Sequence, residues 1–82
     1  MTKLEILQTQ RSVLAGQRAK LTLDMEIYLD NPTSIPEHTD FSEYLDKILA
    51  QLVEVNDKIK LLNFLIKEAQ NGNVDQKNER QR

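Results

Sequence analysis

The 82-residue chain has no cysteine and no tryptophan, two glycines, two prolines and one histidine. Without cysteine, disulfides and thiolate metal sites are both excluded. The lone His38 stands among Glu37, Thr39 and Asp40 in a segment of turn-forming residues. Acid–base catalysis needs a partner group and a pocket that excludes water, so His38 reads as an exposed loop residue. No run approaches the roughly 18 apolar residues that a membrane helix requires. The opening Met1-Thr2-Lys3-Leu4-Glu5 lacks the apolar stretch of a secretory signal. A cytoplasmic protein with no membrane partner is the expectation. There is no phosphate-binding loop, no paired metal ligand set and no interleaving of basic and aromatic residues. No catalytic residue, cofactor or metal is therefore expected, and the chain is read as a non-enzyme.

What is abundant favours helix: Leu, Ile, Lys, Glu and Gln dominate. Thr2-Lys3-Leu4-Glu5 is a capping box, in which the Thr2 hydroxyl accepts from the Glu5 amide and Glu5 reaches back to Thr2. Asn31 precedes Pro32, which pushes it out of helical geometry. A first helix is therefore expected over about 3–30, a loop over 31–40, and a second helix over about 41–70. Asn71-Gly72 reads as a stop. Beyond it only Val74 is apolar, so residues 72–82 read as a disordered polar tail attached to a hairpin of residues 1–71.

The second helix carries the strongest periodicity. Phe41, Leu45, Ile48, Leu52, Val55, Ile59, Leu62, Ile66 and Ala69 alternate spacings of four and three without a miss, the pattern of a helix packed on another helix. The first helix keeps the spacing through Leu4, Leu7, Leu14, Leu21, Met25 and Tyr28, with Arg11 and Arg18 interrupting the seam. Ile6, Val13 and Ile27 form a second stripe that widens its apolar arc. Two helices of matched length and a ten-residue connection imply an all-α, antiparallel, coiled-coil-like hairpin. The plan resembles small helical-hairpin groups such as co-chaperones of type III secretion needle subunits and small accessory proteins of phages. That likeness extends to the layout alone and carries over no functional residue.

Leu49, Val53, Leu61, Phe64 and Leu65 lie off the main stripe of helix 2. Around Leu61–Ile66 the helix is apolar almost all the way round, which a surface helix does not sustain cheaply. These five are the expected interface, either to a second copy, with a dimer completing a helical bundle, or to another helical protein. Gln10, Arg11, Gln17 and Arg18 form a possible polar recognition strip. The competing expectation is that the two arginine stems cross the seam and their heads pair with helix 2 acids, Arg18 facing the region of Val53 and Glu54.

Net charge is −2, but its distribution is uneven. Residues 1–20 sum to +3, residues 21–57 to −8 and residues 58–82 to +3. In a hairpin this gives an acidic loop end and a basic terminal end. Asp24, Glu26, Asp30, Asp40, Glu43 and Asp46 make a possible acidic docking tip; they lack the glycine-containing pattern of a calcium loop. Acids near the end of helix 1 oppose its macrodipole, which favours a docking role over a stabilising one. The functional expectation is a protein-interaction module: a small adaptor, chaperone or inhibitor acting through the apolar surface of helix 2. The alternative is a nucleic-acid-binding accessory protein that uses Arg11, Arg18, Lys58, Lys60 and Lys67, and a net-acidic chain makes that partner the less expected one.

Overall fold

A computed structural model describes the backbone of residues 1–31 and 41–80 and the side chains of residues 1–31 and 42–72. The described chain is two helices, α1 (Lys3–Asp30) and α2 (Phe41–Arg80), packed as a hairpin. His38 and Asp40 fall outside the described residues.

The capping box forms at the start of α1. Thr2 Oγ1 accepts from the Glu5 amide at 3.1 Å, and Glu5 Oε1 accepts from the Thr2 amide at 2.9 Å. A cap of this kind contributes about 1 kcal/mol by satisfying amides that have no partner within the helix. The other end closes at Asn31, whose amide and side-chain nitrogen both donate to the Ile27 carbonyl at 3.0 Å.

Every buried residue among those described is a seam position: Leu14 on α1, and Ile48, Val55, Ile59, Leu62 and Ile66 on α2. Leu14, Val55, Ile59 and Leu62 form one cluster, flanked by Leu7 and Leu21. Towards the loop end the Tyr28 and Tyr44 rings meet with centroids 4.1 Å apart. Two helices can offer only a single layer of core. The result is a rod of 67 × 22 × 16 Å with a radius of gyration of 19.1 Å, against about 12 Å for a compact domain of this length.

The sequence misplaces the end of α2. The helix continues through Asn71-Gly72 to Arg80, and Gly72 does not take the left-handed conformation of a glycine stop. One interior glycine costs only about 1 kcal/mol relative to alanine, and the Gln, Lys, Glu and Arg that follow are good helix formers. Adding residues to an existing helix also escapes the cost of nucleation. The matched lengths fail for the same reason: α2 has 40 residues and α1 has 28.

Candidate protein-interaction surfaces

Two side-chain bonds fix the register of the hairpin. Arg11 Nη1 donates to Asn63 Oδ1 at 2.9 Å, and Arg18 Nη1 donates to Asn56 Oδ1 at 3.3 Å. The arginines are one heptad apart on α1, and the asparagines are one heptad apart on α2 in the opposite direction. The residue numbers of both pairs therefore add to the same total. This corrects the expectation that the arginines pair with helix 2 acids and that Arg18 faces Val53 and Glu54: Arg18 reaches Asn56, three residues beyond Val53. The stems do cross the seam, but the acceptors are neutral amides. Loop length alone could not supply that offset.

These rungs line one broad face of the hairpin. The opposite face opens into a groove of 310 Å³ lined by Gln17, Lys20, Leu21, Gln51, Glu54, Val55 and Lys58. Leu21 and Val55 are seam residues and form its apolar floor. Its rim is charged: Lys20 Nζ sits 3.2 Å from Asp24 Oδ2, and Lys58 Nζ sits 3.1 Å from Glu54 Oε1. Both pairs are exposed single-helix pairs worth a few tenths of a kcal/mol each.

The five apolar residues of α2 are all exposed, Leu65 least at 37 %. They do not form one surface. Leu49 lies one heptad from Asn56, so it shares the rung face; Val53 is one turn from Leu49 and flanks it. Leu61 and Leu65 lie one heptad beyond Glu54 and Lys58, so they continue the groove face. At about 100° per residue, Leu49 and Leu65 point some 160° apart around α2. Phe64 stands on the outer ridge beside Leu61.

Partners missing from the sequence-based set come from α1. Ile6, Val13, Ile27 and Leu29 are all exposed, so the second stripe of α1 is not consumed by α2. Val13 lies one heptad before Lys20, and Ile6 one heptad before Val13. Because the helices are antiparallel, both sets of steps lead to the terminal end. Ile6, Val13, Leu61 and Leu65 thus share the groove face there. Leu29, Leu49 and Val53 form a second patch on the rung face, nearer the loop. The missed signal was this shared heptad stepping, visible once the register is known.

The polar and acidic candidates separate as well. Gln17 lines the groove and Gln10, one heptad earlier, is exposed on the same side; Arg11 and Arg18 lie on the rung face. Asp24 is held by Lys20, while Glu26 and Asp30 fall on other sides of α1. Glu43 and Asp46 are exposed near the start of α2. Among the described residues no group of three His, Cys, Asp or Glu gathers to hold a metal ion, and no helix is long and apolar enough to cross a membrane. The Glu5 carboxyl is held below its ordinary value of 4.5 by the Thr2 amide and then the Thr2 hydroxyl. Comparison with protein-family models, with curated proteins and with solved structures finds no match to this chain.

Proposed function

We propose that this chain is a non-catalytic, cytoplasmic protein-interaction module, a small adaptor, chaperone or inhibitor, whose apolar side chains bind protein. The observation that carries the reading is the exposure of Leu49, Val53, Leu61, Phe64 and Leu65 on one helix of a hairpin whose own core is a single layer. Each such side chain gains about 1.5–3 kcal/mol if fully buried, and α1 leaves all five uncovered. The division into two faces supports more than one contact: a copy of the chain on one, another helical protein on the other. The nucleic-acid reading is weaker. Three of the five basic residues it would use are already engaged, Arg11 and Arg18 by asparagines and Lys58 by Glu54.

The test is a binding comparison. Proteins retained from host extract by the immobilised chain are purified, and their affinity is measured for wild type, Val53→Asp, Leu61→Asp and Lys67→Asp. Wild type and Lys67→Asp should bind alike, and Val53→Asp should lose at least about tenfold, or 1.4 kcal/mol. Undiminished binding by both Val53→Asp and Leu61→Asp would overturn the reading. A salt-sensitive shift of DNA or RNA would favour the nucleic-acid alternative.

A further inference from the structure

We infer that the groove face binds a second copy of this chain, terminal end beside terminal end, with α1 of each copy lying over α2 of the other. The inference rests on the interaction-module reading and names the first partner and its pose.

The register decides which residues of two copies meet. A two-fold axis parallel to the helices lays α1 of one copy on α2 of its mate at the same height, and height is fixed within each chain by the Arg11–Asn63 and Arg18–Asn56 rungs. Val13 and Leu61 share the total that those rungs set, and so do Lys20 and Glu54. The axis therefore places Val13 against Leu61 of the second copy, and Lys20 against Glu54. Apolar meets apolar at the terminal end, and opposite charges meet at the groove. Each contact occurs twice, as a self-complementary interface requires. With the pairs already present in each chain, the charges run Asp24, Lys20, then Glu54 and Lys58 of the second copy, alternating in sign.

The other two-fold arrangement, end over end, lays α1 on α1 and α2 on α2. Centred on the groove, it sets Lys20 against Lys20 and Glu54 against Glu54. Centred on the apolar patch, it leaves the loop half of each rod without a mate. Attraction between the acidic loop end and the basic terminal end favours that arrangement, but it acts between exposed groups and is screened by salt.

Leu49 and Val53, on the rung face, stay free for a different protein.

Because the chain has no cysteine, single-cysteine variants report the pose directly. Val13→Cys and an isotope-labelled Leu61→Cys are mixed in equal amounts and bridged with a short bis-maleimide, and the products are sorted by mass. Both substitutions are at exposed positions, so folding is retained, and helicity is checked by circular dichroism. The mixed Val13–Leu61 product should exceed the two like-with-like products together by at least about fivefold, where random encounter gives parity. Parity, a predominance of like-with-like products, or a stronger Val13→Cys with Ile27→Cys bridge would overturn the pose. A wild-type chain that is monomeric at about 100 µM would overturn the copy as partner. The interaction reading fails separately: it falls if foreign partners ignore Val53→Asp and Leu61→Asp, whatever the cross-links show.

Discussion

The Arg11 guanidinium donates to the Asn63 side-chain carbonyl at 2.9 Å, and Arg11 itself stands at a seam position where a helix pair would bury an apolar side chain. Polar groups at seam positions sacrifice packing and in return fix register. A double-mutant cycle with Arg11→Met and Asn63→Ala should show a coupling energy of about 0.5–1.5 kcal/mol. Additive effects would mean that the bond does not hold the register in solution.

Burial separates apolar residues on different sides of α2. Ile59 is 7 % exposed and Val53 is 59 % exposed. Ile59→Ala should therefore destabilise the hairpin by about 2–4 kcal/mol, from lost transfer energy and the cavity left behind. Val53→Ala should change it by less than about 0.5 kcal/mol. Urea unfolding of the two variants gives the comparison, and equal losses would place Val53 in the core.

The fold was legible because the heptad of α2 is unbroken, and every described seam residue except Arg18 is at least partly buried. The start of α1 was legible because a capping box needs only four residues. The register was not, because it depends on where two arginines find acceptors, and asparagine carries no charge to mark it. The grouping of Leu61 and Leu65 with Val13, apart from Leu49, followed from that register and was hidden with it. The end of α2 was misread because a glycine is a stop only when it turns left-handed, and Gly72 does not.

Gly16 lies inside α1 with nothing within 4 Å of where a Cβ would stand. Gly16→Ala should stabilise the protein by roughly 0.5–1 kcal/mol, since alanine loses less backbone entropy in a helix. For a chain of this size that raises the thermal midpoint by several degrees. A lower midpoint would indicate that another chain approaches the Gly16 backbone.

Glu5 should titrate below its ordinary value of 4.5, because hydrogen bonds from the Thr2 amide and hydroxyl favour its carboxylate. Its folded value is depressed, so its contribution to stability is present above the unfolded value and is lost as pH falls through the folded one. A carbon-detected NMR titration of the side-chain carboxyl checks this, and a midpoint at or above 4.5 would show that the capping box is open. Glu5→Gln should remove this part of the acid sensitivity.

In the proposed reading the exposed apolar side chains are association surfaces and a second copy covers the groove face. Sedimentation equilibrium of wild type and Leu61→Asp, each across a concentration series, decides between this reading and a monomer. Wild type should give twice the chain mass of 9.5 kDa, and Leu61→Asp should give the single mass with its helicity retained. A fully helical wild type that sediments at 9.5 kDa up to about 100 µM, a range that would reveal even micromolar self-association, would contradict it.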